Sequence, residues 1–389
     1  MSEIRRRVGA WLETQRLPAK ARQAQKNDRK GLPNTDPGPE KVITAGISWL
    51  FRAQDNSRTS DGGVARHFSL IDGWAASYPE TTGYIVATLI TYGAATRNPE
   101  LFERAKRMLD WLLAIQFPDG GFQGGMVDQL PCVPVTFNTG QILIGLSAGA
   151  PLDARYRDAM RKAADWLVAT QDPDGCWRRH PTPLAAPGEK TYETHVSLGL
   201  FHAHAMEPDR GYQAAGLRQV DWALRNQTGN GWLSDCCLSD PKQPLTHTLG
   251  YALRGLVGAY QSSRRLVYLE AACRTANGLL TALQGDGKLL GRFNSDWRPT
   301  VDWVCLTGTC QIAESWLLLY KETGRQDYRR AALAANAYVR RTIAFEGPAD
   351  IVGGVKGSFP INGDYGRWQY LNWACKFMID ANMAERACD

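Results

Sequence analysis

Acidic, histidine and tyrosine side chains stand at the starts of long apolar stretches of this sequence, or just ahead of them. Glu80 and Glu193 each precede such a stretch, His195 follows two positions after Glu193, and Tyr365 comes shortly before the last stretch. A carboxyl group among apolar neighbours keeps its proton to a higher pH, which suits a general acid or base. We therefore predict Glu80, Glu193, His195 and Tyr365 as catalytic residues.

Carbohydrate chemistry uses side chains of these types. Hydrolysis of a glycoside requires two carboxyl groups, one protonated and one ionised. Lysis or epimerisation of a uronate requires a base, often with Tyr or His as its partner, and an Arg that neutralises the sugar carboxylate. Arg66 and Arg367 suit that last role, and Trp residues suit stacking on sugar rings. The residues predicted to bind substrate are Arg66, His67, Tyr78, Tyr84, Tyr192, His247, Asp302, Trp303, Asp364, Arg367 and Trp368.

The four acidic residues of this set also have a purely structural alternative. An acidic side chain at a helix start can bond to free N–H groups and interact with the positive end of the helix dipole. An unpartnered carboxylate in apolar surroundings is costly to bury, so each residue either caps a helix or has a function. Four simultaneous caps are not expected. The residues are Glu80, Glu193, Asp302 and Asp364.

An internal repeat in the sequence indicates the helices that position these residues. An aromatic or leucine residue, an aliphatic residue and a glutamine recur ahead of a glycine turn, as in Trp111-Leu112, Gln116 and Gly120. Measured between the glutamine positions, six copies follow one another at steps of 55 to 62 residues, the sixth being degraded. Such a period indicates a closed or stacked repeat architecture.

Each period contains two helical patterns. The segment before the glutamine is amphipathic, and the segment after the glycine turn is apolar nearly all round and must be buried. Six amphipathic helices alternating with six buried ones predict an all-α fold, an (α/α)6 barrel of two concentric rings. The buried helices are predicted at 82–92, 139–147, 194–205, 248–260, 306–320 and 371–383. Polar residues at their starts would meet in one funnel.

Composition and charge divide the chain into a basic N-terminal arm (1–40) and the barrel (41–389). The net charge is +6, yet residues 1–41 carry ten Lys and Arg against five Asp and Glu, so the barrel is nearly neutral. A nucleic-acid partner is therefore not expected. The arm is predicted as a helix followed by an extended segment. We expect a solvated or partner-covering tail. The alternative is contact with an anionic membrane surface through Arg5, Arg6 and Arg7 beside Trp11 and Leu12.

The nine cysteines bear on metal binding and on location. They form no Cys-x-x-Cys pair and are odd in number, which argues against a zinc ribbon and a disulfide framework. Neither an apolar secretory core nor a membrane span is recognisable. We expect a cytoplasmic protein with no metal and no cofactor.

The repeat unit Trp166-Leu167, Gln171, Gly175 and Trp177 resembles the QW repeat of the squalene cyclase and prenyltransferase superfamily. In the cyclases of that superfamily an Asp-x-Asp-Asp motif protonates the substrate, and this chain contains no such motif. The resemblance implies a terpenoid-cyclase-like toroid. It leaves an isoprenoid cyclase or prenyltransferase as an alternative function, with aromatic side chains stabilising carbocations.

A second resemblance is carried by residues 61–70, 73–74, 77–84 and 362–374, which include Asp61-Gly62-Gly63 and Tyr78-Pro79-Glu80. These segments look like the polysaccharide biosynthesis proteins of the VpsJ type. The resemblance implies a role in bacterial exopolysaccharide biosynthesis, acting on a sugar or a lipid-linked oligosaccharide. Our leading hypothesis is a carbohydrate-active lyase, epimerase or hydrolase. A non-catalytic barrel that binds a glycan or a partner protein is a further alternative.

Overall fold

The computed structural model describes residues 17–388, which form the double ring of helices predicted from the repeat. A short helix α1 (Ala19–Asp28) precedes six helical hairpins, in each of which an outer helix is followed by an inner one. The hairpins are α2 (Pro39–Asp55) and α3 (Pro79–Thr96), α4 (Pro99–Ile115) and α5 (Thr136–Gly149), α6 (Ala154–Thr170) and α7 (Thr194–Met206), α8 (Tyr212–Leu224) and α9 (Thr246–Ser263), α10 (Leu266–Ala282) and α11 (Leu306–Thr323), and α12 (Gln326–Arg340) and α13 (Asn372–Arg386).

Burial distinguishes the two rings. Helix α5 is buried at nearly every position, whereas α4 buries one stripe that includes Leu101, Ala105 and Leu112. The inner helices approach each other closely at glycines. A Cβ atom at Gly145 would lie 1.9 Å from the carbonyl oxygen of Gly83 on the neighbouring inner helix. The predicted inner helices are all confirmed, and several extend further than the apolar pattern, α3 by three residues at its start.

The repeated glutamine joins neighbouring outer helices. In the third copy, Gln171 Nε2 donates to the carbonyl oxygen of Gly175 at 2.9 Å and to that of Ala215, on α8, at 2.9 Å. Gln116 makes the equivalent bonds to Gly120 and to Ala159, on α6. The glutamine therefore satisfies one carbonyl of its own turn and one of the next outer helix, which explains why the sequence repeats it.

The turn glycine explains the second repeated position. Gly175 has a φ of +98°, and a Cβ atom there would lie 2.3 Å from the carbonyl oxygen of Arg218 on the next outer helix. Gly353 has the same role in the sixth copy, where the contacted carbonyl belongs to Ala45 on α2. The last hairpin thus contacts the first, and the ring closes although the sixth copy has no glutamine.

Short strands lie in the loops that lead into the inner helices. Strand β1 (His67–Ser69) pairs with β2 (Gly73–Trp74) and with β5 (Gln369–Leu371), both antiparallel, with His67 opposite Leu371. Strand β3 (Val304–Cys305) pairs with β4 (Ser358–Phe359). The all-α prediction contained no strands because each strand is only two or three residues long, and β5 and β4 are distant in the chain from β1 and β3. They fix the loops at the end of the barrel where the inner helices begin.

The described part of the N-terminal arm packs against the last hairpin. Asp28 forms an ion pair with Lys356 and accepts a bond from the backbone N–H of Ile361, and Asp36 pairs with Arg340. The segment 17–40 is therefore held to the barrel. The predicted membrane-contacting residues of the arm lie outside the described residues. Between residues 17 and 388, every helix is too short or too polar to cross a bilayer. The unplaced residues are Arg5, Arg6, Arg7, Trp11 and Leu12.

Candidate functional site

Glu80 is buried in the first turn of α3, where the inner ring begins. Its Oε2 atom accepts a hydrogen bond of 2.8 Å from the hydroxyl of Tyr78, and Glu80 makes no helix-capping bond. Burial raises the pKa of the Glu80 carboxyl from 4.5 to about 7, although the Tyr78 bond and Arg66 oppose the rise. Close to neutral pH the carboxyl group can therefore give or accept a proton.

Arg66 places a positive charge beside this carboxyl group. Its guanidinium lies over the rings of Tyr78 and Trp373, at 5.6 and 5.0 Å from their centroids. Its Nη1 atom donates to Nδ1 of His67 at 3.0 Å. Burial and the charge of Arg66 lower the pKa of His67 to about 3, so the imidazole is neutral and accepts this bond. The β1–β5 pairing positions Arg66 and His67 against the start of α13.

Two histidine–glutamine pairs occupy equivalent places in the inner ring. His195 Nδ1 lies 2.6 Å from Gln141 Oε1, and His247 Nδ1 lies 2.8 Å from Gln311 Oε1. Because a glutamine oxygen only accepts, each Nδ1 carries the proton and each Nε2 carries the lone pair. Burial lowers the pKa of His247 to about 4 and that of His195 well below its ordinary value, so both imidazoles are neutral.

Both imidazole rings pack on Tyr251, with centroids at 4.5 Å for His195 and 4.4 Å for His247. The Tyr251 hydroxyl lies 3.5 Å from that of Tyr84, and the rings of Tyr84 and Tyr251 both contact Phe377. We call Tyr84, Tyr251 and Phe377 the aromatic layer. All three are buried, and they cross the bore of the barrel one helical turn below Glu80 and His247.

Tyr365 connects the two sides of the site. Its hydroxyl accepts a 2.8 Å hydrogen bond from Trp373 Nε1, and its ring lies 5.3 Å from that of His247. Since Trp373 also contacts Arg66 and Tyr78, an unbroken series of contacts runs from Glu80 to His247. Tyr365 is therefore in position to assist either group.

Several buried polar atoms of this region have no hydrogen-bond partner among residues 17–388. They include the Nε2 atoms of Gln141 and Gln311, the two amides that hold the histidines. Buried amide donors are nearly always bonded, so atoms of this kind mark places where a ligand or water binds. The site thus presents donors beside a proton-exchanging carboxyl group. It can orient hydroxyl or carbonyl oxygens of a ligand.

Glu193 lies in an adjoining cavity. It lines a space of about 580 Å³ beneath the loop 181–190, and its Oε2 atom has no partner among the described residues. Burial raises the pKa of Glu193 to about 8, and Lys190 opposes the rise. Tyr192 lines the same cavity, and the ring of Phe137 separates Tyr192 from Tyr251, at 5.3 and 5.1 Å. Like Glu80, Glu193 makes no capping bond.

Other predicted site residues are placed differently from the expectation. Asp302 and Asp364 are exposed, so the prediction of apolar surroundings for these two carboxylates is wrong. Both lie in loops outside the inner helices, where water solvates a charge at little cost. Arg367 is also exposed. Trp303 is buried beside Leu245 and Cys305, and Trp368 is buried in the main core, which favours packing over stacking on a sugar.

Sequence reasoning missed Tyr251, Trp373 and Phe377. Tyr251 follows His247 by four residues, so helical spacing alone places them on one face. The sequence offered no reason to prefer it to other aromatic residues of the apolar helices. Among residues 17–388 no cluster of three or more His, Cys, Asp or Glu side chains is arranged to hold a metal ion.

The fold can now be compared with known proteins. No family model matches this chain. It is similar to a heparin-specific unsaturated glucuronyl hydrolase, with a TM-score of 0.71 and 16% identity over 91% of this chain and 98% of the other. It is also similar to cellobiose 2-epimerase from Bacillus thermoamylovorans (TM-score 0.68, 12% identity, 88% and 96% coverage). A D-mannose isomerase is similar as well, with a TM-score of 0.68 and 12% identity over 91% of this chain and 99% of the other. At these identities the likeness shows that the chain has the (α/α)6-barrel fold.

Proposed function

We propose that this protein is a carbohydrate-active enzyme whose reaction takes place around Glu80. The observation that carries the proposal is the buried Glu80 carboxyl group. It is bonded to Tyr78, lies near Arg66 and has a pKa raised to about 7. The similar structures support the substrate class, because their names describe a glucuronyl hydrolase, a cellobiose epimerase and a mannose isomerase.

The reaction best suited to these groups is proton transfer at a sugar carbon, as in an epimerase or lyase. Two-carboxylate hydrolysis needs one carboxyl group that stays ionised at the working pH. The pKa values of both Glu80 and Glu193 are raised, to about 7 and about 8, so neither is firmly ionised near neutrality. The lone pair on Nε2 of neutral His247 supplies the complementary acceptor, and Tyr365 lies between the two groups.

The substrate is proposed to carry a carboxylate, as a uronate does, because Arg66 can receive it bidentately beside Glu80. A pathway of exopolysaccharide assembly, with a sugar or lipid-linked oligosaccharide as substrate, remains our proposal for the setting. It is supported by the resemblance of residues 61–84 and 362–374. The unpartnered amide donors favour a saccharide over an isoprenoid, since an isoprenoid chain would leave them unbonded.

Solvent-exchange NMR tests the reaction. The protein is incubated in D2O with uronate oligosaccharides, with cellobiose and, separately, with prenyl diphosphates, and deuterium incorporation is followed. We expect exchange at the carbon beside the uronate carboxylate. Glu80→Gln should lower its rate at least about 100-fold, the range typical of a lost acid–base group, with little change in melting temperature.

The matched control is Glu103→Gln, which removes an exposed carboxyl group on the outer helix α4 and should leave exchange unchanged. Full activity in Glu80→Gln would refute the assignment of Glu80. Binding of saccharides with no exchange or product in the unmodified protein would show a binding barrel instead. Binding of prenyl diphosphates alone would transfer the proposal to isoprenoid chemistry.

A further inference from the structure

A second cavity, which we call the far cavity, opens at the end of the bore opposite to Glu80. Its volume is about 350 Å³, within the range of small-ligand sites, and side chains from all six inner helices line it. Phe377 of the aromatic layer forms part of its wall, and its rim includes the exposed residues Thr91, His202 and Ala387. The far cavity is therefore reached from the opposite face of the barrel.

Four charged side chains line the far cavity, and two of them form a well-bonded ion pair with each other. Lys376 Nζ forms an ion pair with Asp380, whose other oxygen accepts a 2.8 Å hydrogen bond from Thr88. The Lys376 ammonium also lies 4.2 Å from the ring centroid of Phe377. This pair has the partners that a buried ion pair requires.

The second pair is incomplete. Arg254 approaches Glu314 by one contact, 3.6 Å between Nε and Oε1, although both side chains are only 17% exposed. The Nη1 atom of Arg254 is buried and has no hydrogen-bond partner among the described residues. Burial raises the pKa of Glu314, and the charge of Arg254 opposes the rise. A guanidinium that is largely removed from water without all of its hydrogen bonds is unfavourable.

We infer that the far cavity binds a small ligand bearing a carboxylate or phosphate group, with Arg254 as the anion-binding residue. A planar guanidinium can hold such a group bidentately through its unbonded edge, and His202 at the rim can donate a further bond. The volume admits a molecule of about the size of a sugar acid or a sugar phosphate. Because the aromatic layer lies between them, this site is separate from the one around Glu80.

His195 gives the far cavity a contact with the Glu80 side. Its ring lines the far cavity, packs on Tyr251 and is bonded to Gln141. Arg254 and Lys376 both contribute to lowering its pKa, so the charges of the far cavity act on the histidine of the opposite site. A bound anion would therefore change the field at His195 without entering the Glu80 site.

Calorimetric titration of the full chain at constant ionic strength tests the inference. D-glucuronate and glucose 6-phosphate are the two anionic probes, and D-glucose is the neutral control. We expect at least one anion to bind and glucose not to bind measurably at this site. The stronger of the two anions distinguishes a carboxylate from a phosphate ligand. Arg254→Gln should weaken anion binding in the far cavity at least tenfold, whereas Arg155→Gln, which changes an exposed arginine of the outer helix α6, should not. Repeating the titration in Arg66→Gln removes any contribution of D-glucuronate bound beside Glu80.

Two further variants guard against misfolding. Arg254→Gln leaves Glu314 unpaired, so Arg254→Gln combined with Glu314→Gln restores a neutral pair and should fold yet still lose binding. Ala387→Trp obstructs the exposed rim without touching a buried charge, and it should weaken binding as well. Anion binding that Arg254→Gln leaves unchanged, or no anion binding by the folded protein, would overturn the inference. Neither result would bear on exchange catalysed through Glu80.

Discussion

Two carboxyl groups, at the starts of the first and third inner helices, are both buried. Glu80 and Glu193 are both removed from water, and within residues 17–388 neither forms an ion pair or a helix-capping bond. Their proton affinity rises because the protonated form is the cheaper one to bury. The same burial that adapts Glu80 to proton transfer therefore makes the fold sensitive to alkali. Burial of these two carboxyl groups is therefore expected to lower the stability of the fold at higher pH.

Glu193→Gln measures this cost. The pKa of Glu193 in the folded protein, about 8, lies above its ordinary 4.5, so its contribution to stability is full below about pH 4.5 and is lost as the pH rises to about 8. Glutamine cannot ionise and escapes that loss. In thermal denaturation, the melting temperature of Glu193→Gln relative to the unmodified protein should rise by several degrees between about pH 5 and about pH 9. A difference independent of pH would contradict the raised pKa.

At the scale of the helical hairpin, the repeated glutamine and the turn glycine have different structural roles. The glutamine bonds a carbonyl of its own turn and a carbonyl of the next outer helix, and the glycine lets the turn touch the backbone of that helix. Both contacts act between hairpins. The repeated positions therefore maintain the ring more than they shape any single hairpin.

Gln171→Ala tests the role of the glutamine. The change removes two bonds donated by Nε2 and one accepted from Arg218, and with them the side-chain link between the turn and α8. Unfolding in urea should show a loss of about 1–3 kcal/mol. Gln284→Ala is the matched control. Gln284 has the equivalent repeat position but is exposed, and its side chain makes no hydrogen bond within residues 17–388, so little loss is expected. Equal losses in the two variants would contradict this account.

At the scale of the whole molecule, the N-terminal segment and the last hairpin are joined by buried charges. The Asp28 side chain is 3% exposed and that of Lys356 is 10% exposed, and Asp28 also accepts a backbone bond from Ile361. An ion pair at this depth adds little net stability, but removing one partner leaves an uncompensated buried charge. The segment is therefore coupled to the folding of the barrel.

Lys356→Met should lower the free energy of unfolding by about 3–5 kcal/mol, because Asp28 then remains buried without its cation. Adding Asp28→Asn should recover part of the loss, since asparagine is neutral and still accepts the Ile361 bond. Arg58→Met breaks an exposed pair with Asp128 and should cost less than about 1 kcal/mol. Urea denaturation of the four proteins compares these values. A similar small loss in Lys356→Met and Arg58→Met would show that the segment is not coupled to the barrel.

The double ring of helices could be predicted from the sequence, because the hydrophobic pattern of each helix and the spacing of the repeats can be read directly from it. The sequence was also sufficient to place Glu80, Tyr78 and His247 at one end, since each stands at the start of an inner helix. The exposure of Asp302 and Asp364 could not be predicted, because it depends on the paths of the loops that contain them. The His195–Gln141 and His247–Gln311 pairs each join two different helices, so the pattern within a single helix does not predict these hydrogen bonds.

The contact of Gly353 with Ala45 has a consequence for the architecture as a whole. Open arrays of helical repeats need specialised end units, because their first and last repeats would otherwise expose an apolar flank. Here the sixth unit covers the flank of the first, so neither needs to be a cap. The number of units is fixed by the curvature that brings the ends together, and a seventh unit would find no vacant neighbour.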